Sequence, residues 1–201
     1  GALDALTDAD LVERLHDGLP NTLGEWIVQD QLTHLKVKLN GNDADWDVAR
    51  ILAVDGVAGT TAPRAYTYSL DFNEQCPNVE YLLEVLRRVG EDRPSCFDRV
   101  AYVEQPTARD LAAHPENTMH RAAQLKPVVI DQWLVDYASL QLARAQGYSG
   151  VALKACNGQS QSLVLAAAAQ KFGMFLCVQD LTCPGLSFLE SAGLGEDWVL
   201  D

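Results

Sequence analysis

Pro127-Val128-Val129-Ile130-Asp131 is four apolar residues closed by a carboxylate. The run is too short for a buried helix and has no polar face, which is how a strand covered on both sides reads. Working outward, the same pattern recurs. Toward the N-terminus stand Arg99–Val103 closed by Glu104, Ala65–Leu70 closed by Asp71, and His34–Leu39 carrying Lys36 and Lys38. Toward the C-terminus stand Gly150–Leu153 closed by Lys154, and Met174–Val178 followed by Gln179-Asp180.

Amphipathic segments lie between these runs, near Asp43–Val54, Asn78–Val89, Ala108–Leu125, Gln132–Ala145, Ser160–Phe172 and Leu186–Ala192. Turn signals punctuate them at Asn40-Gly41, Gly147 and Asn157-Gly158. Ahead of the first run, Thr7 precedes a helix candidate over Asp8–Asp17, and Asn21-Thr22 precedes another over Leu23–Gln31. Apolar strands alternating with helices predict a parallel sheet covered by helices.

An open sheet uses mainly the crevice at its switch point, whereas a closed ring brings all its strand ends to one mouth. Polar residues at the ends of six successive strands favour the ring. A full barrel has eight strands and about 250 residues, so the expectation is an incomplete TIM-like (β/α) barrel of the α/β class, its first and last strands missing. It is read as one partial barrel domain over 1–201, with N-terminal helices over 1–32 and strand-helix repeats over 33–195. Unpaired strand edges invite pairing, which leaves a homo-oligomer open.

The composition narrows the partners. With 15 Lys and Arg against 28 Asp and Glu, the formal charge of −13 repels a phosphate backbone, so nucleic acid is not expected. The lack of a long apolar run and of a basic, apolar leader argues against a membrane or export. Five widely spaced cysteines without a Cys-x-x-Cys pair fit reduced thiols in a cytoplasm.

Asp71, Glu104 and Asp131 follow one another at about one strand-helix unit. Neighbouring strands lie about 4.8 Å apart, so three inward carboxylates can converge on one ion. Hard oxygen donors without His or Cys nearby select Mg²⁺, with Mn²⁺ as the substitute, over zinc. The alternative is that each acid caps the helix that follows it.

Lys36 and Lys38 flank Val37, so strand alternation puts them on one face, ~6.7 Å apart along the strand. Leu35, Val37 and Leu39 need the helix-facing side, which turns the lysines inward. Two close, buried cations are expected to depress each other's pKa and suit a base near neutral pH. Lys154 stands four strands from the Lys36–Lys38 strand, on the opposite side of an eight-strand ring. A substrate between them would meet a lysine on each face. Alone, Lys154 reads equally as a surface lysine at a strand end.

Lys36-Val37-Lys38, Ser69-Leu70-Asp71-Phe72-Asn73, Tyr102-Val103-Glu104-Gln105-Pro106, Val129-Ile130-Asp131 and Leu153-Lys154 together resemble the enolase superfamily, specifically its muconate lactonizing enzyme subgroup in the mandelate racemase/muconate lactonizing enzyme family. The resemblance covers about residues 30–195. It implies that Asp71, Glu104 and Asp131 bind Mg²⁺, that Lys38 and Lys154 are the acid/base pair, and that Lys36 tunes Lys38 or contacts the substrate carboxylate. The implied chemistry removes a proton next to the carboxylate of a small substrate and passes through an enolate. Racemisation or epimerisation, cycloisomerisation and dehydration all follow from that step.

The mandelate racemase pattern fits less well, because its His-Asp pair sits on later strands and His16, His34, His114 and His120 all come too early. Departures from the family include Gln132 where an acid is frequent, one glycine in Ala155-Cys156-Asn157-Gly158-Gln159, and an enlarged segment around Gly90–Ser95. The N-terminal capping domain is also missing from the pattern. Asn73 and Gln105 could orient the carboxylates or simply serve their turns. Asp180 could meet Lys154 or substrate, or cap the next helix. Competing readings are a Schiff-base aldolase built on Lys154 or Lys38, and an inactive barrel fragment or scaffold subunit.

Overall fold

The computed structural model describes residues 5–179, together with 185, 186, 189 and 191–193. It divides into two compact units, Gly1–Thr107 and Ala108–Asp201.

The first unit contains three parallel strands, β1 (His34–Lys38), β2 (Thr67–Asp71) and β3 (Val100–Glu104), with β2 in the middle. All three fall within two residues of their expected bounds. Alternation works as the sequence demands. Leu35, Val37 and Leu39 of the β1 segment are buried, as are Tyr66, Tyr68 and Leu70 of the next. The opposite face is left to Lys36, Lys38, Ser69 and Asp71. Three helices complete the repeats, α1 (Leu23–Asp30), α2 (Ala44–Thr61) and α3 (Val79–Asp92), followed by the short α4 (Pro94–Asp98). Their N-termini are capped by Thr22, Asp43 and Asn78, whose side-chain oxygens accept from the main-chain N–H three residues on. The segment expected to be enlarged, around Gly90–Ser95, holds the end of α3 and the start of α4.

Two helix expectations in this unit change. The helix expected over Asp8–Asp17 is a single 3-10 turn, Asp8–Asp10. Val12 is fully exposed and Leu15 largely so, so this stretch gains no burial, and a short helix without burial does not hold in water. The helix expected to end at Val54 runs on to Thr61, because Asp55 is buried and paired while Ala58 is fully buried. Asp55 anchors the added turns.

The second unit contains β4 (Val128–Ile130), β5 (Gly150–Leu153) and β6 (Phe175–Val178), parallel in chain order with β5 in the middle. Helices α5 (His120–Ala123), α6 (Tyr137–Ala145) and α7 (Gln159–Lys171) accompany them. All residues of β4 and β5 are buried, as the run that decides the fold requires.

The long helix expected over Ala108–Leu125 is reduced to α5. Pro115 removes a donor in mid-segment, and the chain is tied down otherwise. Met119 N–H donates to the Gln146 carbonyl at 2.6 Å, and the Gln146 amide donates to the Leu111 carbonyl at 2.7 Å. Gly147 has φ +89°, and a Cβ there would lie 2.4 Å from the His120 main-chain nitrogen. Only glycine permits that approach. Helix α6 starts at Tyr137 rather than Gln132, because Asp136 caps it by accepting from Ser139 N–H at 2.7 Å. The helix expected over Leu186–Ala192, and Asp180, Cys183 and Trp198, lie wholly or partly outside the described residues.

Candidate active site

Register sets the first unit's polar face. Lys38 is opposite Asp71, and Asp71 is opposite Glu104, so three site residues stand in one row across β1, β2 and β3. Lys36 stands one pleat earlier, opposite Ser69. Asp71 and Glu104 are each 1% exposed. Buried acids need partners, and the lysines provide them. Lys36 Nζ is 2.7 Å from Glu104 Oε1 and 3.1 Å from Asp71 Oδ2, and Lys38 Nζ donates to the same Asp71 oxygen. The other Asp71 oxygen accepts from Asn73 N–H at 2.8 Å.

This arrangement reverses one expectation. Lys36 and Lys38 were expected to depress each other. Burial does oppose the Lys36 charge, but Glu104 and then Asp71 outweigh it and hold the ammonium well above its ordinary value. Burial likewise opposes ionisation of Asp71, and it is overcome by the Lys38 hydrogen bond, the Lys36 charge and Asn73 N–H, so its carboxyl lies below the ordinary range. The acids that Lys36 contacts, and not the neighbouring lysine, set the sign there.

The strand exits are tightly built. Asn73, Glu74 and Gln105 all have positive φ, at 49°, 67° and 30°, conformations that non-glycine residues adopt only where the surroundings enforce them. Glu74 N–H donates to the Gln105 carbonyl and Cys76 N–H to the Pro106 carbonyl, each at 3.0 Å, which ties the β2 exit to the β3 exit. Asn73 therefore orients Asp71 with its main chain. Its side chain is exposed. Gln105 is fully buried and its amide lies 3.4 Å from the Thr107 carbonyl.

One residue escaped the sequence reading. Asp47, fully buried on α2, accepts from Asn40 N–H at 2.7 Å, Gly41 N–H at 2.9 Å and the Tyr81 hydroxyl at 2.7 Å. It fixes the turn that leaves β1 just after Lys38. Gly41, at φ +73°, would push a Cβ to 2.8 Å from the Cys76 main-chain nitrogen. The available signal was an acid four residues after the Asp43 cap on the helix's inward side.

In the second unit, Asp131 and Lys154 follow β4 and β5. Asp131 is 3% exposed, and Lys154 Nζ lies 2.5 Å from its Oδ1. Beside them, Gln132 Oε1 and Trp133 Nε1 are buried with no hydrogen-bond partner among the described residues. Asp180 lies outside the described residues.

The donor chemistry suits a hard divalent cation. One ammonium nitrogen already lies within hydrogen-bonding distance of both Asp71 and Glu104, so the two carboxylates face a common cation position with oxygen donors alone. Among the described residues, no group of three His, Cys, Asp or Glu side chains is gathered to hold a metal by itself. No helix among them is long and apolar enough to cross a membrane.

A family model described as Enolase C-terminal domain-like matches residues 20–194. Among solved structures, a mandelate racemase/muconate lactonizing enzyme from Roseiflexus sp. is 26% identical, with a TM-score of 0.71 over 86% of this chain and 47% of that one. A muconate cycloisomerase from Pseudomonas fluorescens is 23% identical, with a TM-score of 0.66 over 83% and 44%. A dipeptide epimerase from Cytophaga hutchinsonii, complexed with Mg and the dipeptide D-Ala-L-Val, is 22% identical, with a TM-score of 0.65 over 82% and 42%. The chain thus spans under half the length of each of these structures, and the fold it shares with them is the α/β barrel, present here in part. No curated protein matches the sequence.

Proposed function

Because the chain belongs to the Enolase C-terminal domain-like family, we propose that it provides the Mg²⁺-dependent machinery for removing a proton α to the carboxylate of a small substrate. The observation that carries this reading is the Lys36–Lys38–Asp71–Glu104 cluster, two buried acids and two lysines on one face at the C-terminal ends of parallel strands. That end of a barrel is where chemistry is placed.

Asp71, Glu104 and Asp131 would hold the ion, Mg²⁺ or Mn²⁺. When bound, it supplies positive charge to the carboxylate, whose conjugate base gathers a second negative charge as the proton leaves. Lys38 and Lys154 move the proton, one taking it and the other returning it or assisting a leaving group. Lys36 adds positive charge beside the developing dianion. Asn73 N–H keeps Asp71 aimed, and the tie between the β2 and β3 exits keeps Asp71 and Glu104 in step. Epimerisation and cycloisomerisation are the leading outcomes, since the similar structures include a dipeptide epimerase and a muconate cycloisomerase.

The test is incubation in D₂O with Mg²⁺ and a panel of dipeptides and muconate. Deuterium entering α to a carboxylate, or conversion of muconate, supports the reading. No turnover across the panel, together with no binding of Mg²⁺ or Mn²⁺, sinks it.

A further inference from the structure

Asp71 and Glu104 pose a difficulty that exists before any metal arrives. They are register partners, each 1% exposed, and two buried carboxylates side by side cannot both stay charged without a cation. Lys36 solves this in an unusual way. Its register partner is Ser69, so its side chain has to run forward along the strand, past Ser69, to bring Nζ to 2.7 Å from Glu104 and 3.1 Å from Asp71. Lys38, directly opposite Asp71, needs no such reach. The lysine farther from the acids is thus the one that touches both.

We propose that Lys36 is an internal counter-cation, which neutralises the Asp71–Glu104 pair in the metal-free protein and competes with the divalent ion for the same two oxygens. The inference rests on the reading of Asp71 and Glu104 as metal ligands. A lysine suits the task. Its flexible stem and strongly hydrated head, with 36% of the side chain still exposed, let the ammonium exchange its carboxylate contacts for water when the ion enters. The measured affinity is then the intrinsic affinity reduced by the fraction of molecules in which Lys36 has moved away. Lys36 on this account is a positioning residue that sets how readily the carboxylates are released to metal.

The experiment is Mn²⁺ titration of the whole chain by calorimetry and electron paramagnetic resonance, with thermal midpoints recorded with and without Mn²⁺. The variants are Lys36→Met, Lys36→Gln and Asp71→Asn. Lys36→Met is expected to bind Mn²⁺ about tenfold tighter than the unsubstituted chain, to melt lower without metal, and to regain more on adding it. A lysine with a merely structural role would lose affinity along with stability. If Lys36→Met does not fold without metal, Lys36→Gln, which keeps a donor and loses the charge, must show the gain. Folded Lys36 variants that bind Mn²⁺ no more tightly, while Asp71→Asn abolishes binding, overturn the inference and leave the ligand reading intact. Binding unchanged by Asp71→Asn, or absent from every variant, overturns both.

Discussion

The first unit neutralises its buried acids differently at the two ends of β2 and β3. Near the N-terminal ends of β2 and β3, Asp55 accepts from the Tyr68 hydroxyl at 2.8 Å, Arg93 at 3.0 Å and Arg99 at 2.5 Å. At the C-terminal ends, Asp71 and Glu104 are held by Lys36 and Lys38. Arginine presents a rigid, planar fork that stays charged, whereas lysine presents one compact ammonium on a flexible stem. The first cluster is closed by guanidinium groups and a hydroxyl that stay in place, Arg93 donating also to the Leu52 carbonyl at 3.0 Å. The second is closed by groups that can let go. The same electrostatic requirement is thus met by a fastening at one end of the strands and by a releasable contact at the other, which is where a parallel barrel keeps its chemistry.

The comparison can be broken most forcefully at the lysines. In a protein that turns over substrate, Lys38→Ala or Lys154→Ala should lower α-deuterium exchange by about 10²–10⁴-fold, read by mass spectrometry on the folded fraction. Exchange left untouched by both would remove the acid/base assignment. Asp55→Ala should instead show a loss of about 2–3 kcal/mol in urea unfolding. That is less than the ~3–5 of a fully buried pair, because Arg93 and Arg99 are partly exposed. Mn²⁺ affinity of the folded fraction should not change.

Asp71→Asn in the metal-free chain should cost only about 1 kcal/mol or less by the same measurement, because the partly exposed lysines return to water. If it costs more than Asp55→Ala, the lysine end is a fastening after all. The smallest expected effect is in the pH profile. Burial opposes the Asp55 charge, but Tyr68, Arg93 and Arg99 hold its carboxyl below the ordinary 3.8. Its contribution is therefore present above pH 3.8 and is lost as pH falls through the lowered folded value. Unfolding midpoints of the unsubstituted chain and Asp55→Asn should differ by a constant amount near neutrality and converge below pH 3.8.

The strands were legible because their signal is local. Val128–Ile130 and Gly150–Leu153 are short, apolar and closed by a polar residue, and nothing in the surrounding structure had to be known to read them. Helix starts were legible at Asp43 and Asn78, where caps stood in the sequence, and before α7, where Asn157-Gly158 marked the turn. The helix readings failed where burial decided, at Val12 for want of it and at Asp55 because of an unsuspected ion pair. Within the site, the acids and lysines could be named from position along the chain. That Lys36 passes Ser69 to reach Glu104 depends on register and side-chain reach, which no one-dimensional pattern encodes. Asp47 was hidden for a similar reason, since its partners at Asn40, Gly41 and Tyr81 are main-chain and hydroxyl groups brought together only by folding.

The Asp47 clamp has a bearing on how the site moves. With the Asn40 and Gly41 amides both donating to one buried carboxylate and Gly41 seated against Cys76, the turn after β1 belongs to the scaffold. Its amide protons should exchange with solvent as slowly as those of the strand it follows. Motion at Lys36 and Lys38 is then confined to side-chain torsions, on the timescale of rotamer jumps, above a backbone that stays still. Such a cluster adapts by swinging two charged arms over a fixed floor.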